Sequence, residues 1–137
     1  MTQRTLVLLK PDCVRRGLVG EIIGRIEAKA GWTLSALELR LLDRGTLEQH
    51  YAEHIGRDFY EPLVDFMLSG PVVALVVEGE RAIEGVRRLA GPTDPIAAQP
   101  GSIRGDFGTS VRENLIHASD SEESAIRELK IFFPGLS

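Results

Sequence analysis

Hydrophobic positions along the chain follow two different periods. Thr5-Leu-Val-Leu-Leu9 and Val72 to Val77 are nearly continuous apolar runs, the pattern of strands buried on both faces. The first is stopped by Lys10-Pro11-Asp12, which leaves Lys10 at a strand end. Leu37, Leu39 and Leu41 alternate with Glu38 and Arg40, and this predicts an edge strand with one wet face. Helical spacing takes over elsewhere. After Gly17, the residues Leu18, Ile22, Ile23 and Ile26 mark one face of an amphipathic helix closed by Ala30-Gly31. Capping-box patterns at Thr46 and Gln49, and again at Asp58 and Glu61, predict a helical hairpin running to His54 and then through Leu63, Phe66 and Met67 to Ser69-Gly70-Pro71. A further helix, from about Arg81 to Ala90, is stopped by Gly91-Pro92. Periodicity then fails from Pro92 to Glu113, where Pro95, Pro100, Gly101, Gly105 and Gly108 predict a long loop. Such a loop in a small domain is usually functional or a subunit contact. The order of elements fits an α+β sandwich with helices packed on an antiparallel sheet.

After the loop, the short apolar run Leu115-Ile116 delivers His117 onto the start of the last helix. Ser119 with Glu122, or Asp120 with Glu123, forms a capping box, so that helix is predicted to begin within a few residues of His117. Its free N–H groups and positive dipole end would face anions. Glu128 lies about two turns along from Ser121, within reach to fold back beside the imidazole and fix its tautomer. His117 then becomes a positioned nucleophile. The plainer alternative is a strand-end histidine followed by a solvated acidic helix.

The bulk numbers narrow the class. A chain of 137 residues fits one domain and buries roughly two thirds of its unfolded surface, so no staple is required. The single cysteine, Cys13, forms no internal disulfide, and neither a secretory leader nor a long apolar run is apparent, which predicts a cytoplasmic protein. A formal charge of -4 argues against a general nucleic-acid binder but leaves room for a local cationic pocket. His50, Glu53 and His54 spell an inverted zinc-peptidase pattern. A third protein ligand and a peptidase cleft have little to come from, so a solvated helix face is the stronger reading. The phosphate loop of the common glycine-rich kind is missing, so any phosphate ligand would have to be held by side chains, for which guanidinium forks are suited.

The pattern Asn-x-x-His-Ala-Ser-Asp-Ser-x-x-Ser-Ala-x-x-Glu-Leu from Asn114 to Leu129 closely resembles the active-site signature of nucleoside diphosphate kinases. Leu9-Lys-Pro-Asp12, Gly17-Leu-Val-Gly-Glu-Ile-Ile23, His50-Tyr51, Ser69-Gly-Pro-Val-Val73 and Arg104-Gly-Asp-Phe107 are similar to that family in order and spacing. The resemblance covers essentially the whole chain, as one domain over residues 1–137. It implies a ferredoxin-like sandwich whose four-stranded antiparallel sheet has the first and third strands at its centre. It also implies ping-pong transfer of a terminal phosphoryl group from a nucleoside triphosphate to a nucleoside diphosphate through a phosphohistidine on His117, with attack by Nδ1. Ser119 and Glu128 match the groups that support the histidine, and Tyr51 matches a tyrosine beside it. Arg87, Thr93 and Arg104 match phosphate ligands; Arg87 rather than Arg88 has the family's spacing before Gly91. Lys10 and Asn114 match groups on the ribose hydroxyls, Lys10 also approaching the phosphates. Phe59, Leu63 and Val111 match an apolar clip around the base. Mg2+ is expected to arrive on the nucleotide, since the sequence shows no carboxylate cluster for a protein cage. Relatives assemble as hexamers or tetramers, so a homo-oligomer is implied. Cys13 and Ala118 depart from the family's usual small residues without removing a functional group. A regulatory module on the same fold that has lost turnover is the second hypothesis, and the retained functional set argues against it.

Overall fold

The computed structural model describes residues 2–29 and 31–136. Strands β1 (Thr2–Leu9), β2 (Thr33–Arg40), β3 (Val72–Glu80) and β4 (Ile116–Ala118) form one antiparallel sheet in the order β2-β3-β1-β4. The ferredoxin-like expectation, first and third strands central, is met. The continuous apolar runs are buried on both faces because helices cover both. Val7 and Leu9 join Val73, Leu75 and Val77 in a core with α2 (Val19–Glu27) and α5 (Ala82–Ala90). Leu6 and Leu8 join Ala74 and Val76 in a second core with α3 (Arg44–His50), α4 (Tyr60–Met67) and α7 (Glu122–Phe132).

Several local expectations shift. Strand β1 begins at Thr2, because Thr2, Gln3 and Arg4 continue the ladder with Glu80, Gly79 and Glu78. Pro11 does more than stop that strand: it opens a short helix, α1 (Pro11–Arg15), at the one helical position where a missing N–H costs nothing. Helix α2 ends at Glu27, and Ala30, named above as its stop, lies outside the described residues. Helix α3 starts earlier than Thr46, since the Asp43 carboxylate accepts the Thr46 N–H at 2.7 Å and caps the helix from outside the predicted box. Helix α4 begins at Tyr60 with no side-chain cap, so the Asp58 box does not form. The Pro92–Glu113 segment contains α6 (Ile103–Phe107), capped by Ser102.

Strand β2 is the edge strand predicted, but its leucine face is not covered. Leu37 and Leu39 pair with Leu75 and Val73 and share their face of the sheet, yet are 52% and 68% exposed. Alternation shows which residues share a face; whether a helix lies over that face depends on where the helices land.

Candidate active site

The backbone entering β4 is held before its side chains are. Leu115 adopts a left-handed conformation, φ 78°, which a branched residue takes only when its surroundings enforce it. Its N–H donates to the Asp12 carboxylate at 3.2 Å, and its carbonyl accepts the Lys10 N–H at 2.8 Å. Both partners sit where β1 meets α1. Asp12 is buried, and burial pushes its carboxyl above the usual range. This anchoring role was not legible in the sequence.

From that anchor, His117 pairs with Leu8 in the β1–β4 ladder. Its Nε2 lies 3.0 Å from Glu128 Oε1, and the Ser119 hydroxyl donates to the same oxygen at 2.7 Å. Ser119 also accepts the Leu6 N–H at 3.2 Å. Thus engaged, Ser119 is not free to cap α7, and Ser121 caps it instead by accepting the Ser124 N–H. Neither predicted box forms. Burial pushes the Glu128 carboxyl up, but the bonds from His117 and Ser119 outweigh it and hold the group below the usual carboxylate range. An ionised carboxylate accepts only, so Nε2 carries the ring proton and Nδ1 keeps a lone pair.

A cavity of about 660 Å³ opens over this group. Lys10, Tyr51, Phe59, Leu63, Arg87, Thr93, Arg104, Val111, Asn114, His117 and Glu128 all line it, while Ser119 stands behind Glu128. A larger groove, about 1180 Å³, runs past Arg25, Trp32 and Arg88, but its lining holds no histidine.

Each wall of the 660 Å³ cavity has its own character. Lys10 donates to Asn114 Oδ1 at 2.9 Å, and the Asn114 amide donates to the carbonyls of Thr93 and Val111. Burial, and then the Arg104 charge, lower the Lys10 ammonium to about 8. Arg104 donates to the carbonyls of Gly91 and Ile116, and Arg87 donates to that of Ala118. The Arg104 guanidinium is lowered to about 10, by burial first and by Arg87 second. On the other side Phe59 and Val111 are 45% and 59% exposed, an open apolar lip and not part of the core.

His50 corrects the reading of a solvated helix face. It is 3% exposed, and its ring stands edge-on to that of His117 with centroids 4.7 Å apart. Helix α3 ends at His50, and His54 lies in a following 3-10 turn, so the two do not share a helical face and the zinc-peptidase pattern dissolves. His54 instead faces Phe59, with ring centroids 5.2 Å apart. Cys13 is buried, and burial pushes its thiol up to about 12, which makes it inert. Ala118 sits in regular strand pairing with Val7, where no glycine is needed.

A cavity with a cationic wall, an apolar lip and an oriented imidazole between them defines a phosphoryl-transferring class of enzyme, one that works without a glycine-rich phosphate loop. Comparison with known proteins agrees. The family model described as nucleoside diphosphate kinase matches residues 3–136. A nucleoside diphosphate kinase of Streptomyces griseus is 82% identical over 137 residues, all of both chains. One of Streptomyces coelicolor is 82% identical over 135 residues, 98% of each. Among solved structures, a halophilic nucleoside diphosphate kinase of Halobacterium salinarum in complex with CDP superposes with a TM-score of 0.93 at 44% identity, over 97% of this chain and 88% of that one. The Aquifex aeolicus nucleoside diphosphate kinase gives 0.93 at 42%, over 98% and 97%. The chain belongs to the nucleoside diphosphate kinase family, and it is an enzyme.

Proposed function

We propose that the protein, as one domain over residues 1–137, moves the terminal phosphoryl group of a nucleoside triphosphate onto a nucleoside diphosphate through a phosphohistidine on His117. The observation that carries this reading is the Ser119–Glu128–His117 relay beside a cavity with a cationic wall. With Nε2 hydrogen-bonded to Glu128, the Nδ1 lone pair attacks the terminal phosphorus as the bond from phosphorus to the leaving diphosphate oxygen breaks. Glu128 stabilises the positive charge that grows on the ring. Arg87, Thr93, Arg104 and Lys10 receive the phosphates, and Lys10 and Asn114 the ribose hydroxyls. Phe59, Leu63 and Val111 clasp the base through its faces, and Tyr51 closes the site beside the histidine. The spent diphosphate leaves, a second diphosphate occupies the same contacts, and the transfer runs in reverse.

The donor chemistry fits magnesium carried by the nucleotide. The His/Cys/Asp/Glu group gathered among the described residues is His50, His117 and Glu128, rich in nitrogen, whereas Mg2+ demands oxygen and keeps its water. Phosphates held by Arg87 and Arg104 would hold the ion, with the Asp120 carboxylate in the same cavity lining for its waters. When bound, the ion offsets charge on the phosphate oxygens.

We further propose a homo-oligomer, hexamer or tetramer, because Leu37 and Leu39 on the edge strand, and Leu41 just past its end, leave apolar surface uncovered. Light scattering tests this. A cytoplasmic location completes the reading, and no helix among the described residues is long and apolar enough to cross a membrane. Incubation with a terminally radiolabelled triphosphate alone should give one acid-labile, base-stable phosphate per chain on His117, discharged by any nucleoside diphosphate. A chain that binds nucleotide but never takes the label would be the regulatory module instead.

A further inference from the structure

His50 is a buried histidine without a buried purpose. It is 3% exposed, and both of its ring nitrogens lack a hydrogen-bond partner among the described residues. Leaving a buried donor or acceptor unsatisfied is costly, so a ring with both nitrogens unmet needs a reason. Its surroundings supply one. Donor atoms of His50, His117 and Glu128 lie within 4.8 Å of one another.

We infer that His50, His117 and Glu128 form a site for a zinc-class divalent cation, separate from the magnesium of the nucleotide, whose occupation silences His117. Two imidazoles and a carboxylate, with a fourth position open to the cavity, are a ligand set that zinc takes in tetrahedral sites. Bonds of about 2.0 Å separate tetrahedral ligands by roughly 3.3 Å. The His117–Glu128 pair, at 3.0 Å, is already near that spacing, and only the His50 ring has to close in. The supports of such a site are present too: Ser119 donates to Glu128 at 2.7 Å, and Arg127 lies 3.7 Å from its other oxygen. The His117 side chain, 22% exposed, gives the ion a path in from the cavity.

Inhibition follows from counting lone pairs, and this half of the inference rests on the proposed role of His117. A neutral imidazole has one in-plane lone pair. A cation inserted between Nε2 and Glu128 takes the place of the Nε2 proton; that proton moves to Nδ1, and the attacking lone pair is gone. A cation on Nδ1 blocks the same atom directly. Magnesium should not compete, because nitrogen ligands favour zinc over it.

The test separates binding from turnover. Chelator-treated full-length protein is dialysed against Zn2+ alone, with no nucleotide to sequester metal, and bound zinc is counted. One zinc per chain is expected, retained in millimolar Mg2+, with visible absorption bands of a tetrahedral ion when Co2+ replaces it. His50→Gln and His117→Gln should each weaken binding by at least about tenfold, the lower end of what losing a mere supporting group costs. His54→Gln should not. Should His50→Gln fail to fold, imidazole-nitrogen NMR on the wild type replaces it, since it reads buried rings: zinc must shift the ring nitrogens of His50 and His117 and leave those of His54 unmoved. Zinc-loaded protein freed of excess metal should refuse the phosphoryl label that the metal-free protein accepts. No stoichiometric zinc, wild-type affinity in His50→Gln, or His50 nitrogens that zinc leaves unmoved overturns the site. A metal-free protein that takes no label overturns the proposed function and leaves the zinc count to stand by itself. A zinc-loaded chain labelled at the normal rate overturns the silencing.

Discussion

The cavity's two walls are built on opposite principles. On the cationic wall, Lys10, Arg104 and Asn114 are each under 10% exposed and already hydrogen-bonded to backbone or to one another. On the apolar lip, Phe59 and Val111 stand about half in water. Charge held in a low-dielectric wall is preorganised, so it acts on the transition state without paying to reorient. An apolar lip offers area alone, and every base has a face to lay on it. The contrast predicts a protein demanding about phosphate position and indifferent to base identity.

The largest effect should come where the two walls meet. His117→Gln should abolish both labelling by triphosphate and turnover, whereas His54→Gln, whose ring faces Phe59 away from the relay, should keep both. Residual acid-labile label in the His117 variant would move the nucleophile elsewhere.

Next come the two arginines of the cationic wall, Arg104 buried and Arg87 exposed. Arg87→Ala or Arg104→Ala should each slow transfer by roughly 10² to 10³, by analogy with removing one preorganised donor. Arg104→Ala should in addition lower stability by about 1–3 kcal/mol, because the Gly91 and Ile116 carbonyls lose their donor. Arg87→Ala frees only the Ala118 carbonyl and should melt closer to wild type. Urea titrations of the two variants measure the difference, and equal midpoints would show that the wall is not a structural brace.

Glu128→Gln keeps the shape of the relay and removes its charge, so it should lower single-turnover phosphorylation by about 10-fold or more while the fold survives. An unchanged chemical step would leave Glu128 a mere packing residue.

The pH dependence of the cationic wall carries a smaller effect with a definite sign. Folded Lys10 loses its proton near pH 8, against 10.5 for an unperturbed lysine. Nucleotide affinity should therefore fall as pH rises through about 8. Over the window from about 8 to 10.5 the unfolded chain binds the extra proton, so this residue's contribution to stability rises with pH even as binding weakens. Calorimetric binding at pH 7 and pH 9 checks the first half; tighter binding at pH 9 would contradict it.

Smallest of all should be the discrimination among bases. Diphosphates of adenine, guanine, cytosine and uracil should differ in kcat/KM by well under about 10³, or 4 kcal/mol, and Phe59→Ala should raise KM for all of them in parallel. A variant that cripples one base alone would reveal an edge-reading contact on the open lip.

Much of this molecule was legible in the chain itself. Continuous apolar runs marked β1 and β3 as buried on both faces because a strand with helices on both sides has no wet face to advertise. The signature from Asn114 to Leu129 carried His117, Ser119 and Glu128 together, since a strand end and the helix that follows it are close in sequence as well as in space. Caps were misplaced for a physical reason. Several serines and acids compete for each helix start, and tertiary bonds, such as those holding Ser119 to Leu6 and Glu128, decide which is free.

Sequence by itself determined the periodicities, the residue types of the site and the family whose pattern they share, because each is written in local order and spacing. Only the tertiary structure decided that Asp12 would hold Leu115 in its strained conformation, that Leu37 and Leu39 would lie uncovered, and that His50 would stand against His117 rather than beside His54. Those outcomes depend on how sheet and helices meet after the chain has folded back on itself. A periodic pattern records which way a side chain points, but not what has been brought opposite it.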